Sequence, residues 1–178
     1  MSSKQRSLLR ADEISGMDEY EAHHPLNPNS EVYIRSLSHA LGLSRLGVHL
    51  ARLAPGKEAN VVHSHGYEEE FFYILSGRGE AQIDGESNEV GAGDFMAFRT
   101  PSVHHGLRNP FDEDLVYLVG GEKREFEVAE FPELGKLIVR ERQRALVIER
   151  DTVEIWGRGD ESEEPESGDS PETGVHET

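Results

Sequence analysis

The stretch from Gly56 to Gly77 reads GKEANVVHSHGYEEEFFYILSG and sets two histidines, His63 and His65, one residue apart. On a β-strand, residues i and i+2 point to the same face, so both imidazoles project to one side. A carboxylate follows at Glu70, and Gly77 closes the unit. Imidazole and carboxylate together form a donor set for Zn, Fe, Mn, Ni or Cu. A strand-borne metal site is therefore the first expectation for this chain.

A second stretch, Gly93 to Asn109, reads GDFMAFRTPSVHHGLRN. It opens on a Gly-Asp turn, runs through an apolar strand and delivers His104 and His105, the latter four residues before Asn109. Together the two stretches resemble the cupin family, whose motifs are G-x5-HxH-x3,4-E-x6-G and G-x5-PxG-xx-H-xxx-N. Here six residues, not five, separate Gly56 from His63, and four separate His65 from Glu70. In the second motif Gly93, His105 and Asn109 match. The PxG element is replaced by Arg99-Thr100-Pro101-Ser102, with one extra residue before the histidine. Either His104 or His105 could then be the fourth ligand, and the H-xxx-N spacing selects His105. The resemblance covers residues 45 to 120. It implies a double-stranded β-helix, the jelly-roll cupin barrel, holding one divalent transition metal (Fe, Mn, Zn or Ni) through His63, His65, Glu70 and His105. It also implies a homodimer.

The rest of the chain supports an all-β reading independently. Leu43–Ala54 sets Leu46, Val48 and Leu50 on one face against Gly47, His49 and Ala51 on the other, a half-buried strand. On that reading His49 lines a pocket or faces solvent. From Glu70 onward, Glu70, Phe72 and Ile74 share one face, and Phe71, Tyr73 and Leu75 share the other. If Glu70 faces the metal, Phe72 and Ile74 line the interior and Tyr73 packs outside. Asp84-Gly85 is a favoured two-residue hairpin turn between two strands. Further strands are expected at Val32–Leu37, Asp94–Phe98 and Leu115–Val119, with closing strands at Ala145–Ile148 and Val153–Trp156. A short helix is expected near Leu8–Ile14 and a turn or short helix at Glu130–Lys136. Lys136–Arg144 reads as a basic segment, and Trp156 as packing the last strand onto the barrel. The domain plan is a polar arm over 1–30, a barrel over 31–156 and a disordered acidic tail over 157–178.

Charge and composition exclude several classes. The net charge is −17, of which −7 sits in residues 157–178. Nucleic-acid binding and adhesion to anionic membranes both need basic patches that such a chain lacks. There is no cysteine, so no disulfide, thiolate nucleophile or Cys-based zinc site exists. The first sixteen residues lack an apolar core of signal-peptide length, and no apolar run approaches membrane-spanning length. A soluble cytoplasmic protein is expected. No Walker-type, dinucleotide-fingerprint or GxSxG motif occurs.

The function expected is metal-dependent chemistry on a small organic molecule. Two histidines and a carboxylate with open positions suit Fe(II) oxygen chemistry, and Phe72, Ile74, Phe95 and Phe98 suggest an apolar interior. An oxygenase-type oxidoreductase therefore leads. The alternatives are a metal-dependent isomerase or lyase of a sugar or carboxylate, and a non-catalytic binding module. His49, His104 and Glu69 are the local options for a general base, and none is singled out. Arg99 and Arg108 could hold a substrate carboxylate or phosphate, or pair with surface acids.

Overall fold

The computed structural model describes residues 6–142, 144–154 and 156. Thirteen strands dominate: β1 Tyr20–Ala22, β2 Val32–Ser36, β3 Leu46–Leu53, β4 Ser64–His65, β5 Glu70–Ser76, β6 Arg78–Ile83, β7 Glu86–Gly91, β8 Phe95–Phe98, β9 His105–Arg108, β10 Leu115–Glu122, β11 Phe126–Phe131, β12 Lys136–Glu141 and β13 Arg144–Glu149. Two short helices, α1 Ala11–Ser15 and α2 Leu37–Ala40, precede β3, and a 3₁₀ turn covers Pro132–Leu134. The acidic tail expected to be disordered lies outside the described residues. No helix among the described residues is long and apolar enough to cross a membrane.

One sheet has the order β1-β2-β3-β10-β5-β8, a second β13-β12-β11-β4 and a third β7-β6-β9, with every pairing antiparallel. The second and third sheets meet where His63 and His105 exchange both backbone hydrogen bonds, at 2.9 and 2.7 Å. The result is an all-β barrel of two facing walls. The Asp84-Gly85 turn takes positive φ at both residues, 51° and 82°, as a tight hairpin between β6 and β7 requires. Gly77 must be glycine: at φ 76° an added Cβ would lie 2.1 Å from the Asp114 carbonyl. Asn109 is buried and structural. Its amide donates to the Leu53 and Glu113 carbonyls at 2.9 and 2.7 Å and accepts from the Phe111 amide at 3.1 Å.

The parity of β3 reverses an appearance in the sequence. Its buried face is Gly47, Ala51 and Leu53, whereas Leu46 is 48% exposed. Small residues face inward because the partner strands fill the space behind them with Phe72, Ile74 and Tyr117, all buried in the same cluster. Lys136–Arg144, read as merely basic, is β12 and the start of β13; its strand alternation is masked by charges on a two-sided, half-exposed ribbon. Val153 and Glu154 are not strand, Ile155 lies outside the described residues, and Trp156 is fully exposed instead of packing on the barrel.

Candidate metal centre

Three strand pairings place the cluster. β4 carries His65 and is preceded by His63. β9 opens with His105, fixed opposite His63, and β5 opens with Glu70. One ligand atom from each of His63, His65, Glu70 and His105 lies within 4.8 Å of all the others. His104, the alternative fourth ligand, is not in the cluster; its carbonyl accepts the Asp84 amide.

Hydrogen bonding fixes which nitrogens face the centre. His63 Nδ1 is 2.8 Å from the Val61 carbonyl, and His105 Nδ1 is 2.9 Å from the Val103 carbonyl. A carbonyl only accepts, so both Nδ1 atoms donate, and in the neutral rings both Nε2 atoms present lone pairs. Yet His63 Nε2 is 3.0 Å from His65 Nε2, and His105 Nε2 is 3.0 Å from Glu70 Oε2. These nitrogens and the carboxylate oxygen thus converge on one point, as the donors of a shared cation would. Burial, reinforced by His105 and His65, pushes the His63 imidazole down to about 4, so it is neutral at neutral pH. Burial alone would raise the Glu70 carboxyl, but the adjacent His105, His63 and His65 rings outweigh it and hold it below its usual range. The donor set, its tautomers and its charge all fit a divalent metal.

Surrounding groups lock these donors. Phe98 stacks on His105 at 3.7 Å between ring centroids, and Phe131 stacks on His63 at 5.6 Å. The Ser102 hydroxyl accepts the His65 amide at 2.7 Å. Glu127 on β11 is 3% exposed, accepts the Gly66 and Tyr67 amides at 2.9 and 3.1 Å, and lies 3.4 Å from His65 Nδ1. Sequence reasoning missed this carboxylate, which sits behind His65 at ion-pair distance. Its signal was present in the alternation of Phe126–Phe131, where Glu127, Ala129 and Phe131 form the buried face. Arg108 pairs with Glu80 at 2.6 Å on the surface, and Glu69 is exposed. Phe72, Ile74 and Phe98 are buried as expected, but Phe95 is 62% exposed and does not line the interior. His24 is half-buried against Phe131 at 5.3 Å between ring centroids.

The cupin domain family matches residues 49–121, the segment that carries all four donors. A proposed sugar phosphate isomerase from Acidithiobacillus ferrooxidans superposes with a TM-score of 0.83 at 33% identity, over 85% of this chain and 97% of that one. The chain is a cupin. No curated protein matches this cupin in sequence. Two more distant solved cupin-fold structures share its fold. One is a sugar phosphate isomerase of the cupin superfamily from Silicibacter pomeroyi, with TM-score 0.72 and 24% identity over 84% of this cupin and 97% of that chain. The other is a predicted oxalate decarboxylase from Thermotoga maritima, with TM-score 0.54 and 22% identity over 66% of this cupin and 100% of that chain.

Proposed function

We propose that this cupin holds one divalent metal through His63, His65, Glu70 and His105 and isomerises a small phosphorylated hydroxycarbonyl compound, a sugar phosphate. The observation that carries the reading is the convergence of three imidazole nitrogens and one carboxylate oxygen within 4.8 Å, with Nδ1 of His63 and of His105 held by carbonyls. A divalent ion bound there polarises a carbonyl or enediol oxygen. The chain's own contribution is to orient the donors through Glu127, Phe98 and Phe131 and to wall the site with Phe72. The sugar phosphate class is supported by the likeness to the Acidithiobacillus protein along most of both chains. The exposed position of Phe95 removes part of the apolar interior on which an oxygenase was expected.

Oxygen chemistry stands as the second reading, favoured by Phe98 lying flat on His105 and Phe72 beside it. Elemental analysis of protein purified without a histidine tag or chelator tests the metal site first, alongside His63→Ala. Near-stoichiometric metal in the wild type and its loss in the variant is expected; no metal after reconstitution would sink the reading. Aldose–ketose interconversion across a sugar phosphate panel, run beside oxygen consumption, then separates the two chemistries.

A further inference from the structure

We infer that His49 and Lys123 form the substrate-handling subsite of the barrel, His49 moving the proton and Lys123 anchoring the anionic group. The inference rests on the isomerase reading and names residues that the metal centre does not use.

His49 faces the barrel interior. It pairs with Val119 on β10, and Val119 pairs with Phe72 on β5, two residues along from Glu70 on the same face. Its Nδ1 is buried without any hydrogen-bond partner. A buried ring nitrogen left unpaired is costly, typically about 1–3 kcal/mol, and such a group calls for a functional explanation.

The wall beside His49 is open toward Glu70. In the adjacent row Gly47 pairs with Gly121, and Gly121 pairs with Glu70. An added Cβ at Gly47 would lie 3.4 Å from His49 Nε2 and 3.1 Å from Lys123 Cε. One at Gly121 would crowd the Glu69 carbonyl oxygen at 3.0 Å and lie 3.7 Å from Glu70 Cβ. The imidazole and the lysine stem thus share the space over one glycine, and the second glycine keeps the way to the ligand Glu70 clear. Two strand spacings put that path at about 10 Å, the length of a small phosphorylated sugar.

The chemistry of the pair suits this substrate. Burial, then the Lys123 charge, hold His49 below the usual histidine range, so its basic form is present at neutral pH. An ammonium at an exposed barrel edge is a point-charge anchor for phosphate. His49 accepts the proton from the hydroxyl-bearing carbon next to the carbonyl. The C–H electron pair becomes the new C=C bond, and the carbonyl π pair moves onto oxygen, giving an enediolate. Return of the proton to the neighbouring carbon, with loss of the hydroxyl proton to the other oxygen, yields the isomer without net oxidation.

The test uses zinc-loaded full-length protein in deuterated water with D-erythrose 4-phosphate, D-ribose 5-phosphate and D-glucose 6-phosphate. Deuterium entry at C2 is read by NMR. Wild type should exchange at least one of them. His49→Gln should lower that rate at least about 100-fold, the scale of general-base catalysis, with metal content and melting temperature unchanged. Lys123→Met, at an exposed position, should raise KM about tenfold or more and leave kcat nearly intact. Independently of turnover, inorganic phosphate should shift the His49 ring ¹⁵N signals in wild type and not in Lys123→Met. Wild-type exchange that persists in His49→Gln, or His49 signals indifferent to phosphate, would overturn the inference and leave the isomerase reading standing. No exchange by wild type with any sugar phosphate overturns the isomerase reading and the proton-transfer role together.

Discussion

In the part of the barrel that centres on β3, β10 and β5 and reaches across to β6, β7 and β9, eleven buried apolar side chains form one cluster, among them Leu53, Ile74, Leu115 and Tyr117. In the half built on β4 and β11 the buried cluster is Val61, Ala129 and Phe131 alone. The candidate donors His65 on β4 and His63 just before it belong to the second half, where His63 stacks on Phe131 and the carboxylates of Glu68 and Glu127 are buried. The first half is held by apolar burial, at roughly 25 cal/mol per Å². The second replaces much of that with imidazoles, charges and hydrogen bonds, whose net value is realised only when every partner is present. An ion bound to four donors from both halves would tie the weaker to the stronger, since binding to the folded state adds directly to stability.

Breaking the link between the halves should have the largest effect. His105→Ala removes a donor from the strand that joins them, and metal affinity should fall at least about 1,000-fold, or roughly 4 kcal/mol, by competition with a chelator. Chelation of the wild type should likewise lower the melting temperature. Ile74→Ala, confined to the apolar half, should cost about 2–5 kcal/mol in urea unfolding and leave metal affinity nearly unchanged. A coupled loss of metal there would erase the distinction between the halves.

Acidification should act strongly on the polar half. His63 is held down to about 4 in the folded metal-free protein, against 6.5 as its ordinary value. Between those values the unfolded chain binds a proton that the folded chain refuses, so stability falls as pH drops from about 6.5 toward 4. Metal-free protein should lose about 2 kcal/mol from this residue between pH 7 and pH 5, and His63→Ala should flatten that slope. The smallest expected effect sharpens the comparison most. Glu127→Gln removes the charge behind His65 together with one of the two oxygens that accept the Gly66 and Tyr67 amides, and should weaken metal binding about 10-fold with little change in the unfolding of the apolar half.

The same division governs what was legible in the sequence. Strands of the apolar half announce themselves: Phe72 and Ile74 alternate with outward Tyr73, and Asp84-Gly85 marks its hairpin. The HxH spacing brings His63 and His65 together by period-2 geometry, and the resemblance of the two motifs to cupins added Glu70 and His105, which converge with them. What escaped was β11 and β12, where a buried Glu127 stands in the position of a hydrophobe and Lys136–Glu141 carries charge on a half-exposed ribbon. A carboxylate reads as solvent-facing unless its partners are known, and the partners here are the Gly66 and Tyr67 amides, some 60 positions away. The face of His49 was ambiguous for a related reason: β3 buries its small residues and exposes Leu46, the reverse of simple hydrophobic patterning.

The reciprocal backbone pairing of His63 with His105 carries a kinetic consequence. The two residues are distant in the chain, and the pair closes only after β9 has found the segment before β4 across a loop that contains β5 to β8. Barrels assembled from such distant pairings fold slowly, on the order of milliseconds to seconds, because loop-closure entropy is lost before the contacts reward it. An ion therefore meets a complete set of donors only once this distant pairing has closed, so its capture reports on a register rather than on a local turn.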